Sequence, residues 1–251
     1  RRQRQMCIRD SFAGSQRQKN ARTVQGELEA AVEKLFGTPA RVCLSGRTDA
    51  GVHAAAQIAH TDGETPVPAE KLAEVLSRLL PDDVKALRSA AAPTGFDCTR
   101  AVRKKTYCYR FYCARTEHPL LARYAARLEG EPDLAAMRAA VPLLAGEHDF
   151  AAFRAAGSSA KTTVRTVFSL SVDRQTVYGV PMYAIRVTGN GFLYNMVRIL
   201  AGTLCEAGAG RLAPEAVPGI LASRDRKNAG PTLAAGILSA ADWPWLFAVN
   251  V

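Results

Sequence analysis

Apolar residues recur at helical spacing near the start of the chain, at Val24, Leu28 and Leu35, and the pattern ends at Gly37. Positions three or four apart share one face of a helix, and glycine is common just after a helix ends. We therefore predict a helix that begins after Thr23. The next apolar runs predict further elements: strands over 41–45, 54–60 and 83–90, a polar turn over 46–51, and a helix between Pro68 and Pro81.

The segment 104–114 alternates as a strand does, because successive side chains of a strand point to opposite faces. One face carries Tyr107, Tyr109 and Phe111, and the other carries Cys108, Arg110 and Tyr112. The stretch that follows, 116–132, is rich in charged residues and ends in Gly-Glu-Pro. We interpret it as a linker between an N-terminal half, 12–115, and a C-terminal half, 133–251.

The C-terminal half repeats the mixture of helices and strands. Its pattern predicts a helix over 133–145, a hairpin of strands 164–173 and 180–188, helices over 192–207 and 214–223, and strand-like ends near 236–249. Strands paired with helices in both halves indicate an α+β fold made of two similar units.

Charge adds a preference for nucleic acid. The chain has 251 residues, and its 33 basic and 23 acidic side chains give a net charge of +10. Arginine supplies most of the excess, and its planar guanidinium binds phosphate and stacks on bases, although a solvated basic surface would have the same composition. Apolar runs are too short to span a membrane. The scattered cysteines suggest a reducing compartment, so we expect a cytoplasmic protein without membrane contact.

Residues 1–11, RRQRQMCIRDS, do not match the chain that follows. They contain four arginines and one aspartate, with neither helical nor strand periodicity. We expect this segment to be foreign to the rest of the chain rather than a basic RNA-binding arm.

The stretch Ser45–His53, SGRTDAGVH, combines a carboxylate with a cation in a glycine-flanked turn. Glycines permit close approach of a ligand to the backbone, and Arg47 can orient Asp49 or bind a phosphate. A surface turn with an Asx hydrogen bond explains the same residues. The residues alone leave both interpretations open.

The wider pattern resembles the TruA family of tRNA pseudouridine synthases. The blocks that carry the resemblance stand in family order: GSQRQ at 14–18 with RTVQGELE at 22–29, GRTDAGVHA from Gly46, KTYCYR from Lys105, GEHDF from Gly146, and NGFLYNMVR from Asn190. Three departures stand out. Cys-Ile-Arg-Asp-Ser at 7–11 stands where the family has an opening strand and a YDGT-like turn. Ser15 replaces the usual tryptophan, and the C-terminal GLYL becomes Gly-Ile-Leu-Ser at 236–239.

The resemblance implies roles for individual residues. Asp49 would be the catalytic aspartate, Arg198 the arginine that pairs with it, and Arg47 the other basic residue of the motif. Tyr107 would stack on the target base, and Ile237 would form an aliphatic wall against it. The implied fold has two RRM-like (ferredoxin-like) halves sharing a mixed, mostly antiparallel central sheet flanked by helices, in a homodimer.

The resemblance also implies the reaction, which converts uridine to pseudouridine in the anticodon stem-loop of tRNA, at positions 38–40. This isomerisation changes no oxidation state, so we expect neither cofactor nor metal. Asp49 would act as nucleophile or as base, and the sequence does not choose between the two. A catalytically impaired RNA-binding protein of the same fold is the alternative. A hydrolytic glycosidase is disfavoured, because no second acid accompanies Asp49 in its loop.

Basic residues beside these motifs are candidates for contacts with RNA phosphates. They are Arg17, Arg22, Lys104, Lys105, Arg110 and Arg165.

Overall fold

A computed structural model describes residues 12–158, 160–235, 238–240 and 247–250. The chain divides between Val102 and Arg103 into two compact units, and the strand Phe247–Asn250 belongs to the first of them. A linker was predicted at 116–132; within this range, Ala126–Leu128 forms a strand of the second unit. Residues 1–11 lie outside the described part of the chain.

The helices and strands are numbered here in chain order. The α-helices are α1 Val24–Phe36, α2 Leu72–Leu79, α3 Cys98–Ala101, α4 Leu134–Leu144, α5 Met196–Gly208 and α6 Val217–Ser223. The strands are β1 Cys43–Leu44, β2 His53–Ala54, β3 Ala59–Asp62, β4 Ser89–Ala91, β5 Lys105–Cys113, β6 Ala126–Leu128, β7 Gly146–Asp149, β8 Val164–Val177, β9 Val180–Gly189, β10 Leu238–Ala240 and β11 Phe247–Asn250.

The predicted first helix is confirmed as α1. The Thr23 side chain accepts a hydrogen bond from the Gly26 amide at 3.2 Å and so caps the helix N-terminus. Gly37 ends the helix with φ of 72°, a left-handed conformation that favours glycine. The apolar stripe of α1 buries Leu28 and Val32 in the core of the first unit.

The sheet of the first unit has the order β1-β3-β11-β4, with β1 antiparallel to β3 and β11 parallel to both neighbours. Helices α1 and α2 cover one face, where Val32, Leu72 and Leu76 pack against Val42 and Ala59. The strand predicted over 54–60 is divided between β2 and β3, and the strand predicted over 83–90 is reduced to β4.

The second unit is built on a mixed sheet in which β5 pairs with three other strands. A path of five strands runs β10-β5-β9-β8-β7 with every pair antiparallel, and β6 lies parallel beside β5. Helix α5 packs on β5, and α4 packs on α5 and β8. The predicted hairpin of β8 and β9 is confirmed, and Tyr178 and Gly179 at its tip have φ of 51° and 76°, as a tight hairpin turn requires. The α+β class is therefore confirmed.

The helix predicted from Phe192 begins only at Met196. Asn195 precedes it with φ of 59°, a left-handed conformation that cannot continue a right-handed helix. Residues 190–195 consequently form a loop between β9 and α5. Among the described residues, no helix has the length and apolar character that a membrane span needs.

Candidate active site

The loop that carries Asp49 is held at its start by contacts within the first unit. After β1, the Ser45 amide donates to the Ile58 carbonyl at 2.8 Å, and the Gln57 side-chain amide donates to the Gly46 carbonyl at 2.5 Å. The chain between β2 and β3 thus binds the start of the loop instead of pairing as a strand. This contact explains why the strand predicted over 54–60 is interrupted.

Ser15 holds the middle of the loop. Its amide donates to the Thr48 carbonyl at 3.1 Å, and its hydroxyl accepts from the Thr48 amide at 2.8 Å. Gly14 precedes it with φ of 108°, and a Cβ there would lie 2.8 Å from the Thr48 carbonyl oxygen. Only glycine fits this close approach. Sequence reasoning noted Ser15 only as a departure from the family and did not find this positioning role.

Asp49 lies at the turn of the loop. The Val52 amide donates to the Asp49 carbonyl at 3.2 Å, and Gly51 turns the chain with φ of 78°. The Asp49 side chain is half-buried, whereas Arg47 is exposed. A partly shielded carboxylate on an anchored backbone is suited to act as a nucleophile or a base, because its position costs little to maintain during a reaction.

Tyr107 lies on β5 in the second unit. Its ring meets the edge of Phe192 with 5.4 Å between centroids and an interplanar angle of 83°. Tyr109 and Phe111, which share its face of the strand, are fully buried, while Tyr107 is only half-buried. This difference in burial separates Tyr107 from the tyrosines of the core and leaves part of its ring able to meet a ligand.

Arg198 is held from two sides in the first turn of α5. Its Nε donates to the Leu233 carbonyl at 2.5 Å, and its Nη1 donates to Oδ1 of Asn195 at 2.7 Å. An arginine that only contacts solvent would not be clamped in this way. Two charge-assisted hydrogen bonds fix the direction of the half-buried guanidinium.

The loop 190–195 therefore organises two predicted site residues of the second unit, since Phe192 contacts Tyr107 and Asn195 binds Arg198. Asn190 anchors the start of the loop: its Oδ1 accepts from the Thr166 amide at 3.0 Å. Asn195 was not singled out by sequence reasoning. The signal that would have found it is an asparagine directly before a helix, where this residue tolerates left-handed backbone.

The tyrosine behind this site stays protonated. Burial raises the pKa of the Tyr109 phenol well above its usual value, while the nearby Arg198 cation acts in the opposite direction. The buried Tyr109 phenol is neutral and adds no negative charge beneath α5.

The candidate phosphate contacts differ in how they are engaged. Arg17 binds Glu29 at 2.8 Å, and Arg22 binds Asp83 at 2.8 Å and Glu27 at 2.6 Å. The hydrogen bonds to Asp83, then to Glu27, raise the pKa of Arg22 above its usual value.

In the second unit, Nη1 of Arg165 donates to the Thr162 carbonyl at 3.0 Å. The exposed Lys104 places its Nζ 5.4 Å from the centroid of Phe168. Lys105 and Arg110 are half-buried on β5.

The predicted residues thus fall into two sets, with Arg47 and Asp49 in one loop of the first unit and Tyr107 and Arg198 around one loop of the second. Ile237, the predicted aliphatic wall, lies outside the described residues.

Comparison with known proteins identifies relatives that span both units. A family model described as tRNA pseudouridine synthase matches residues 9–99 and 140–242. The chain is 40% identical over 224 residues to the tRNA pseudouridine synthase A of Caldicellulosiruptor bescii, an alignment that covers 88% of this chain and 89% of that protein. It is 42% identical to proteins of the same name from Geotalea uraniireducens and Syntrophotalea carbinolica, covering 88% of this chain and 89% and 86% of theirs.

Proposed function

The chain belongs to the tRNA pseudouridine synthase family, and from this premise we propose that it isomerises uridine to pseudouridine in tRNA. The observation that carries the proposal is the half-buried Asp49 in a loop held by Ser15 and Gln57. A loop held in this way is better suited to position a reacting carboxylate than a mobile surface turn would be.

The reaction breaks the N1–C1′ bond of uridine and joins C1′ to C5 of the rotated uracil. The C5 proton leaves and N1 gains a proton, so atoms and electrons balance without an external oxidant or reductant. Asp49 would either attack C1′ or remove a proton from the sugar. Both roles require the ionised carboxylate, which a neighbouring cation favours.

We assign the remaining roles as the resemblance implies them. Arg198 supplies the cation that pairs with Asp49, and Arg47 is the second basic residue. Tyr107 stacks on the uracil after it leaves its helix, where one stacked base contributes about 1–3 kcal/mol. Ile237 would complete the wall against the base. The fixed direction of the Arg198 guanidinium and the half-exposed ring of Tyr107 support these assignments.

The finer features of the proposal concern partners and architecture. We propose that the substrate site is a uridine of the anticodon stem-loop, that the protein is a cytoplasmic homodimer, and that its halves are RRM-like. The net charge of +10 supports RNA as the partner. Lys104, Lys105, Arg110 and Arg165 would contact phosphates. Arg17 and Arg22 would do so as well, by exchanging their bonds to Glu29 and Asp83 for phosphate.

Release of the C5 hydrogen provides the test. An unmodified tRNA transcript that carries tritium at C5 of uridine should release tritium to water when incubated with the purified protein. Asp49→Asn keeps the size of the side chain and removes its charge, and we expect it to lower the rate by roughly 10⁴-fold. Affinity for tRNA should change little.

Asp82→Asn is the matched control, because Asp82 is an exposed aspartate in another turn of the same unit. It should retain the rate of the unmodified protein. A folded protein that binds tRNA but releases no tritium would overturn the proposal in favour of a binding protein of the same fold. Full activity of Asp49→Asn would overturn the role of the carboxylate.

A further inference from the structure

The first unit contains a second cluster of reactive side chains away from the Asp49 loop. His60, Asp97 and Cys98 each present a potential ligand atom, and these three atoms lie within 4.8 Å of one another. The ligands come from β3 and from the start of α3, so they are distant in sequence. Sequence spacing therefore predicted no metal site here.

The sheet places this cluster on the face opposite α1 and α2. Leu44 and Ala59 form one register pair of β1 and β3 and contribute to the core beneath those helices. Cys43 and His60 form the adjacent pair, and adjacent positions of a strand face opposite ways. The Cys43 side chain is therefore on the same face as His60, directly across the strand pair.

Local contacts hold the three groups in place. The Cys98 amide donates to Nδ1 of His60 at 3.3 Å, and the buried Cys98 thiol donates to the Cys43 carbonyl at 3.5 Å. Asp97 caps α3 by accepting from the Thr99 amide at 2.8 Å. The Phe96 ring meets His60 edge to face at 5.9 Å.

We propose that His60, Asp97 and Cys98 form a binding site for a zinc ion. Imidazole, thiolate and carboxylate together are a donor set that favours zinc, and three protein ligands leave a fourth tetrahedral position. Water would take this position, or the Cys43 thiol, which shares the face. The proposal does not depend on the proposed isomerase activity.

Binding requires a small contraction of the cluster. Zinc–ligand distances of about 2.0–2.3 Å place tetrahedral ligands about 3.3–3.8 Å apart, against the 4.8 Å limit observed here. Asp97 would supply most of the movement, because its side chain is 37% exposed. Its Oδ2 lies 3.4 Å from Nε of Arg100 and would exchange that ion pair for the metal, while Oδ1 keeps the cap of α3. Binding would release the Cys98 thiol proton to solvent, end the hydrogen bond from this thiol to the Cys43 carbonyl, and replace the long hydrogen bond from the Cys98 amide to His60. It would tie β3 to the start of α3.

Cobalt titration of the full chain tests the site, because tetrahedral Co²⁺ with a thiolate ligand absorbs strongly in the visible and near ultraviolet. We expect one equivalent of Co²⁺ to bind and added Zn²⁺ to remove the absorption. Cys98→Ser should lose at least half of the thiolate band, and His60→Gln should weaken binding at least tenfold. Cys113→Ser is the control, since it removes a buried thiol from the second unit.

Circular dichroism checks that each variant folds. Asp97→Asn retains an oxygen that can cap α3, so it keeps the proposal testable if other variants unfold. It should fold normally and bind Co²⁺ at least tenfold more weakly. Absence of saturable Co²⁺ absorption in the unmodified protein would overturn the proposal. An undiminished thiolate band in Cys98→Ser would overturn it as well.

Discussion

Ser15 shows how one small side chain can position the loop that carries Asp49. Its amide and hydroxyl both bind Thr48, one residue before Asp49. Ser15→Ala removes the acceptor for the Thr48 amide, and an unsatisfied polar group costs about 1–3 kcal/mol. We expect a loss of about 1 kcal/mol of unfolding free energy in urea and a roughly tenfold lower kcat for tritium release, since small displacements of a reacting group are costly.

Ser77 offers a matched control within the same unit. Its hydroxyl donates to the Ala86 carbonyl at 2.8 Å and accepts from the Ala86 amide at 3.0 Å, so it also bridges two segments of backbone. Ser77→Ala should lose comparable stability and retain kcat. Equal loss of kcat in both variants would show that the effect of Ser15 is one of stability alone.

Asn195 links backbone conformation to the direction of Arg198. Asn195→Gly suits the left-handed backbone but removes the amide that accepts from Arg198 at 2.7 Å. We expect thermal stability within about 0.5 kcal/mol of the unmodified protein, together with a lower kcat. The loss should appear in kcat for tritium release, because this hydrogen bond helps to fix the direction of the Arg198 guanidinium.

Tyr178→Gly is the control for the backbone change, since Tyr178 is also left-handed with φ of 51° but lies at the tip of the β8–β9 hairpin. Its kcat should remain unchanged. A kcat for Asn195→Gly equal to that of the unmodified protein would remove Asn195 from the positioning of Arg198.

At the scale of elements, periodicity predicts which segments are helical but not where the chain changes direction. The apolar stripes of α1 and α4 are enough to predict both helices. Each helix begins directly after a capping residue, Thr23 for α1 and Asp133 for α4. Helix α5 begins later than its apolar stripe predicts, because Asn195 adopts a left-handed conformation that hydrophobicity does not encode. Strand β7, within the GEHDF block, was missed because its residues are polar and do not alternate with apolar ones.

Asp149, at the end of β7, connects three elements through one carboxylate. It binds the Ala151 amide at 3.1 Å and Arg224, beyond α6, at 3.0 Å. The side-chain hydrogen bond from Thr163, assisted by these contacts, lowers the pKa of Asp149 below its usual value.

Because the folded-state pKa of Asp149 is depressed, its contribution to stability is present above the unfolded pKa and is lost as pH falls through the folded pKa. Asp149→Asn should therefore have a lower Tm than the unmodified protein at pH 7 and approach it in strongly acidic solution. Thermal denaturation followed between pH 7 and pH 3 measures this convergence. Two curves that stay parallel over the whole range would contradict the linkage.

At the scale of the whole molecule, the sequence indicates the candidate site residues but not the residues that hold them in position. Asp49, Tyr107 and Arg198 lie in recognisable blocks, so their candidacy follows from local sequence. Ser15 and Leu233 could not be found in this way, because each acts through a contact with a residue far away in the chain. The parallel pairing of β11 with β3 and β4 is equally non-local, and nothing in its short apolar run specifies those neighbours.

Net charge is a property of the whole molecule, but its effect on RNA binding depends on how each cation is already engaged. Lys104 is exposed beside Phe168, whereas Arg17 would have to leave Glu29 to bind a phosphate. The salt dependence of tRNA affinity counts the phosphate contacts, because each contact releases counterions. We expect Lys104→Gln to reduce the slope of log Kd against log salt by about one unit and Arg17→Gln to change it much less.

Both substitutions remove one positive charge, so the comparison separates a local contact from the general field of the protein. Fluorescence anisotropy of labelled, unmodified tRNA over a series of KCl concentrations measures the two slopes. Equal slopes would mean that the long-range field dominates binding, since that field responds to net charge regardless of position. A larger change for Arg17→Gln would mean that the exchange of Glu29 for phosphate is favourable and that carboxylate-paired arginines form part of the RNA interface.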